Sequence, residues 1–178
     1  PITVRHLLTS TSGHGFPSDA DAPAARLLAH RLHQGPPQPA LVPPPDAWMA
    51  SLREIPLLHQ PGEGFTYNTA FDVLGVLLAR AGGTALPVLL ADRLLRPLGM
   101  AETGFAFPEA TGPRRTTAYR AAGDGLREVD GPDGQWSALP AFPSGAGGLV
   151  STLADVLAFQ RMLLDDGGAV LPPELVAA

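Results

Sequence analysis

The chain has 178 residues, a net charge of −5 and no cysteine, and all twelve of its basic residues are arginine. An acidic balance without a basic stripe excludes nucleic acid and anionic membranes as main partners, and the missing thiols remove disulfide frameworks, thiolate nucleophiles and zinc-thiolate sites. The missing lysines remove a Schiff-base amine, a P-loop cation and a lysine general base, while 45% apolar residues with 20 Gly and 20 Pro describe a loop-rich globular chain.

The pattern Val4, Leu7, Leu8 predicts a short helix with Thr3 as N-cap, followed by a Thr-Ser-Thr-Ser stretch that Gly13 closes. Asp21 and Pro23 open a second helix on Leu27, Leu28 and Leu32, which stops at Gly35. A proline-rich loop over 35–45 then reads as an extended spacer that does not pack. Asp46 is the predicted cap of a third helix through Trp48, Met49 and Leu52, ended by Pro56. After a turn at Pro61-Gly62-Glu63-Gly64, a helix over 66–81 shows Phe71, Leu74, Leu77 and Leu78 on one apolar face and ends at Gly82-Gly83. Thr84 caps the next, through Leu89, Leu90, Leu94 and Leu95 to Pro97.

Thr116 to Arg120 and Leu126 to Val129 flank Gly123-Asp124-Gly125 as a β-hairpin would. Residues 132–143 read as loop. A glycine-rich approach, Ser144 to Gly148, leads into a last helix over 152–164, where Thr152 and Asp155 form a capping pattern and Gly167-Gly168 end the element. No 20- to 50-residue period repeats, and no apolar run reaches the length that spans a bilayer. The opening Pro1-Ile2-Thr3-Val4 carries neither a basic nor an apolar leader pattern.

Several catalytic templates fail. The G-x-S-x-G elbow is absent at Ser144, where the first position is Phe142, and at Ser12, where it is Ser10. A dinucleotide loop starting at Gly145 meets Val150 instead of its last glycine. His30 and His33 are spaced for one helix face but lack further ligands, so they read as solvent-facing, and neither metal nor organic cofactor is expected. Ser12, Ser144 and Ser151 read as caps or turn residues.

Three stretches carry more information together than singly: Arg5 to Gly13 (RHLLTSTSG), Pro61 to Gly75 (PGEGFTYNTAFDVLG) and Gly145 to Thr152 (GAGGLVST), with Arg96-Pro97-Leu98-Gly99-Met100 between the last two. Their order resembles the serine β-lactamase family of class C type, with its esterases, D-aminopeptidases and penicillin-binding proteins, over nearly the whole chain. The resemblance implies a β-lactamase/transpeptidase-like fold, an α/β sheet lobe with an inserted helical lobe. The present chain would be mostly helical with a small hairpin and without most of the main sheet. It would form one segment, 1–178, of a larger hydrolase domain: a helical lobe over 1–110, hairpin and loop over 111–143, and a glycine-rich loop with the final helix over 144–178.

In that family a Ser-x-x-Lys lies upstream of the Arg-His-Leu-Leu-Thr motif and a tyrosine opens a Tyr-x-Asn motif in the same cleft. Tyr67 stands at that tyrosine, which makes it the catalytic candidate. The serine must lose a proton as it attacks an acyl carbon and the leaving group must gain one, and a phenol beside a cation serves both needs. Ionising an ordinary phenol at neutral pH costs roughly 4 kcal/mol, which a nearby ammonium largely offsets. These residues contain no ammonium, so the resemblance implies that the Ser-x-x-Lys and the C-terminal Lys-Thr-Gly-like strand lie outside the chain, which alone would be inactive.

Thr69 stands where the family has asparagine, with Asn68 one place earlier. A short hydroxyl in place of an amide leans the reading toward esters over β-lactams and D-amino-acid amides. Ser10 replaces a common histidine, read as structural variation. Thr69, Asn68 and Gly147 are the substrate-binding candidates; the Gly145 to Gly148 run either lets backbone pass closely or lines the acyl pocket. The implied partners are a small-molecule ester or amide and the missing lobe, with self-association through an exposed apolar face. The rival reading is a non-catalytic helical binding module or degenerate homologue.

Overall fold

The computed structural model describes residues 1–19, 22–33, 38–123 and 125–177. The predicted helix opener Asp21, the Gly35 to Pro37 part of the spacer and the turn residue Asp124 lie outside them. Two compact units form, one from Pro1–Leu86 with Pro140–Gly148, the other from Pro87–Leu139 with Leu149–Ala178. The chain thus returns to its first unit through residues 140–148.

In the first unit, helix α1 (Val4–Leu8) starts at Thr3, whose hydroxyl accepts from the His6 N–H while the His6 ring accepts from the Thr3 N–H. Helix α2 (Pro23–Leu32) ends on His33 in the left-handed region, φ 50°. The expected stop at Gly35 is therefore too late: an imidazole-bearing residue takes the position that glycine usually fills. Helix α3 (Pro45–Leu52) begins with Pro45, whose fixed φ suits a first turn. Asp46 lies inside that turn and does not cap it. Within the described part of the spacer, the Leu41 N–H turns back onto the Gln38 carbonyl and Val42 packs on the core. Residues 38–42 are a turn with a hydrophobic anchor, which the reading as a non-packing spacer missed.

The core of this unit joins Leu28 and Leu32 of α2, Trp48 and Leu52 of α3, Ile55, Phe142 and Val76. The Trp48 and Phe142 rings stack with centroids 4.8 Å apart, so the returning 140–148 segment contributes a core aromatic. Val76 belongs to α4 (Thr69–Gly82), which starts three residues later than predicted and ends at Gly83, φ 62°. Its buried face also differs from the expected one. Thr69, Ala70, Asp72, Gly75 and Val76 are buried, whereas Phe71, Leu77 and Leu78 are exposed. Backbone comes too near α4 for large side chains to face it: a Cβ on Gly75 would lie 3.1 Å from the Gly145 Cα. The periodicity of bulky residues does not report a small-residue contact of this kind.

Helix α5 (Leu86–Leu90) begins at the end of the first unit and runs on through a π-helical turn, Ala91–Leu95, marked by the Arg96 N–H to Ala91 carbonyl bond. The second unit buries Leu95, Met100, Phe105 and Met162. A 3-10 turn at Glu109–Arg114 precedes the predicted hairpin, β1 (Ala118–Ala122) antiparallel to β2 (Gly125–Asp130), with a register shift between Ala118 and Tyr119. A further 3-10 turn covers Gln135–Ser137. Helix α6 (Leu153–Leu164) follows, capped by Thr152, and a short α7 (Pro173–Val176) lies beyond the element taken as the last.

The capping pattern at α6 is half realised. The Thr152 hydroxyl accepts from the Asp155 N–H at 3.2 Å, but the Asp155 carboxylate turns away to accept from the Glu102 N–H at 2.9 Å and the Thr103 hydroxyl at 2.7 Å. Gly104 and Val150 pair next to it. Asp155 is buried, so losing it takes the carboxylate acceptor from the Glu102 N–H and leaves the Thr103 hydroxyl to Ser151. Asp155→Ala is expected to cost about 2–3 kcal/mol and Asp155→Asn less, read from urea unfolding midpoints. Equal stability of parent and Asp155→Ala would contradict this role.

Candidate active site

The chain leaves α1 through a turn in which the Thr11 N–H bonds the His6 carbonyl at 2.8 Å and the Ser10 N–H bonds the Leu7 carbonyl at 3.2 Å. This is a Schellman arrangement with Ser10, φ 54°, in the left-handed position. From there residues 10–16 run beside residues 58–67. The Leu58 N–H bonds the Gly13 carbonyl (2.9 Å), the Gly62 N–H the Thr11 carbonyl (2.9 Å), the Thr66 N–H the Ser10 carbonyl (2.8 Å) and the Phe16 N–H the Tyr67 carbonyl (3.2 Å). The Thr66 hydroxyl donates to the His14 carbonyl at 2.9 Å. Gly13 is required where it stands, since φ is 91° and a Cβ would overlap the His59 carbonyl.

This lacing fixes Tyr67 beside the end of α1. The Tyr67 ring stacks on Phe16, centroids 6.2 Å apart, and its side chain is 66% exposed. It lines a groove of about 510 Å³ together with Leu8, Thr9 and Ser10 on one side, Phe65, Asn68 and Phe71 on another, and Gly145 with Ala146. Among the described residues the lining contains no charged side chain. Its polar groups come from Thr9, Ser10, Tyr67 and Asn68.

Asn68 has φ 82° and ψ −73°, and the Thr69 N–H closes onto the Tyr67 carbonyl at 3.3 Å. That is a γ-turn of the rare positive-φ kind, and it stores strain between Tyr67 and the first residue of α4. The turn swings Asn68 to the groove and sends Thr69 into the interior, where none of its surface is exposed. Of the three substrate-binding candidates, Asn68 lines the groove. Thr69 does not, because α4 begins on it, and Gly147 lies just past the lining.

Sequence reasoning passed over three lining residues and one contact behind the lining. Leu8, Thr9 and Ser10 belong to the first of the three motif stretches, none of whose residues is among the sequence-based site candidates. Ser144, read as a turn residue, donates to the Asp72 carboxylate at 2.5 Å, which ties the glycine-rich segment to α4. The one available signal was the placement of Asp72 on the otherwise apolar start of a helix. Among the described residues no cluster of His, Asp or Glu gathers as a metal site needs, and no single helix is long and apolar enough to cross a membrane.

A family model described as Beta-lactamase matches residues 1–178. The chain is similar to Protein Rv1367c of Mycobacterium tuberculosis, 40% identical over 98% of this chain and 43% of that protein. It is also similar to Esterase EstB of Burkholderia gladioli, 31% identical over 88% of this chain and 43% of that protein. Among solved structures it resembles EstCE1, a hydrolase with promiscuous acyltransferase activity, at TM-score 0.79 and 26% identity, over 99% of this chain and 49% of that one. The chain spans less than half the length of these curated relatives.

Burial pushes the His14 imidazole below its usual range, against a smaller opposing effect of the Ile55 backbone. The unfolded chain therefore takes up a proton first as pH falls through about 6.5, and stability declines from there down to the folded value; above that window the effect vanishes. His14→Gln is expected to flatten the loss of stability between pH 7 and pH 5. Parallel pH profiles for the two proteins, followed by thermal unfolding, would refute the assignment.

Proposed function

The chain belongs to the Beta-lactamase family, and from that premise we propose that it supplies the tyrosine-bearing part of a serine hydrolase that works through an acyl-enzyme. Its fold is β-lactamase/transpeptidase-like, here mostly helical with a two-stranded sheet among the described residues. The observation that carries the reading is the exposed Tyr67 side chain on an open groove built by the same motif residues that mark the family.

In this reading Tyr67 moves protons. It takes the proton of an attacking serine hydroxyl and returns one to the departing alkoxide or amine. Serine and ammonium come from a Ser-x-x-Lys outside these residues, since the 178 residues hold no lysine. Asn68 offers the nearest amide to a bound acyl group. Thr69, buried, acts by holding the start of α4, and Gly147 acts through the segment that walls the groove. A neutral lining of leucine, aromatic rings, hydroxyls and one amide suits an uncharged acyl group, which favours an ester over a D-amino-acid amide.

The second unit has an apolar surface with a use in the same reading. Leu153, Val156, Leu157 and Leu164 lie along one side of α6, with Leu153 91% and Leu164 82% exposed. We assign this face to the remaining lobe of the hydrolase; in its absence the chain self-associates.

Tyr67→Phe in the full-length protein is expected to lower kcat for a p-nitrophenyl ester by about 10²–10⁴-fold with intact folding. The 178-residue chain alone is expected to turn over neither that ester nor nitrocefin above its own Tyr67→Phe control. Unchanged turnover in the full-length variant, or Tyr67-dependent turnover by the chain alone, overturns the proposal. Sedimentation velocity of the chain alone should reveal association. A clean monomer that binds no hydrophobic dye would remove α6 from the reading.

A further inference from the structure

Neither Asp72 nor Ser144 lines the groove, yet together they hold one of its walls. The Asp72 carboxylate is buried on the first turn of α4. It accepts from the Ser144 hydroxyl at 2.5 Å and from the Ala146 N–H at 3.4 Å. The Ser144 oxygen in turn accepts from the Ala146 and Gly147 N–H groups, each at 3.1 Å. One carboxylate thus organises the loop over residues 144–147, and a charged acceptor makes the hydroxyl bond stronger than a neutral pair would be. The loop is also pressed onto the helix. A Cβ on Gly145 would overlap the Phe71 carbonyl and lie 3.1 Å from the Gly75 Cα.

Tyr67 reaches the same helix by another route, through the γ-turn at Asn68. The opposite wall, Leu8 to Ser10, is held separately: the Ser10 carbonyl accepts from the Thr66 N–H, the adjacent Thr11 carbonyl from the Gly62 N–H, and the Thr9 N–H bonds back into α1 at the Arg5 carbonyl. Loosening the loop therefore shifts Gly145 and Ala146 and leaves the Tyr67 side in place. Resting on the hydrolase reading, we infer that the Asp72–Ser144 pair is a positioning device that sets the groove width on the Gly145–Ala146 side, and with it the size of acyl group admitted.

The test compares Ser144→Ala, Ser144→Thr and Asp72→Asn with the parent in the full-length protein, using p-nitrophenyl esters of increasing acyl length. Ser144→Ala is expected to speed amide exchange at Gly147, and less at Ala146, by about fivefold or more, because each N–H loses its hydroxyl acceptor. KM for the long acyl esters should shift by about threefold or more while kcat for the acetate stays within roughly twofold. Ser144→Thr, which keeps the hydroxyl, should restore both, and Asp72→Asn should shift KM in the same direction. If Ser144→Ala does not fold, the Ser144→Thr and Asp72→Asn pair carries the same comparison. An unchanged exchange rate at Gly147, or a loss of kcat by one factor across all esters, overturns the inference. Retained turnover in Tyr67→Phe would sink the hydrolase reading separately, while the exchange result would still judge the pair.

Discussion

The backbone lacing between residues 10–16 and 58–67 is the constraint on which the site depends. Tyr67 sits at the end of a loop with no regular element of its own, and these bonds, with the Phe16 ring against it, keep it near the end of α1. Each contributes about 1 kcal/mol net, and their joint effect is geometric: they fix where the Tyr67 backbone, and so the root of its side chain, stands. The close-packed Gly13 is a consequence of running two irregular strands so close together, while Ser10 is left-handed where it closes α1 and Asn68 has positive φ where it forms the γ-turn.

Much of the fold was legible in the sequence because local chemistry dictated it. Thr3, Gly83, Thr152 and the glycines around residue 124 mark element ends through capping and turn preferences that need no tertiary contact. What the sequence concealed depends on partners far along the chain. His33 ends α2 in the left-handed region two residues before Gly35, the stop that residue type pointed to. The interior face of α4 follows small residues, since the loop at Gly145 demands proximity, and bulk pointed to the wrong side.

The site divides in the same way. Tyr67 was legible through its flanking motif. The burial of Thr69 was not, because it follows from the γ-turn at Asn68, which turns the next residue into the start of α4. Asp72 and Ser144 are 72 residues apart, and each has a bland local explanation, as a helix residue and a turn residue. Only their contact gives them a shared role. The Asp155 carboxylate repeats the lesson: its local capping pattern is real, but Glu102 and Thr103 both donate to its Oδ2.

The torsion pair at Asn68 is the reflection of the relaxed three-residue turn that ordinary chains adopt freely. An L-residue there is held on the unfavourable side by its neighbours, so the native backbone opposes its own chirality at one point beside the tyrosine. A monomer of inverted stereochemistry built in by chemical ligation would find the same angles comfortable. The handedness of one alpha carbon, independent of side-chain identity, therefore sets how tightly this corner is wound.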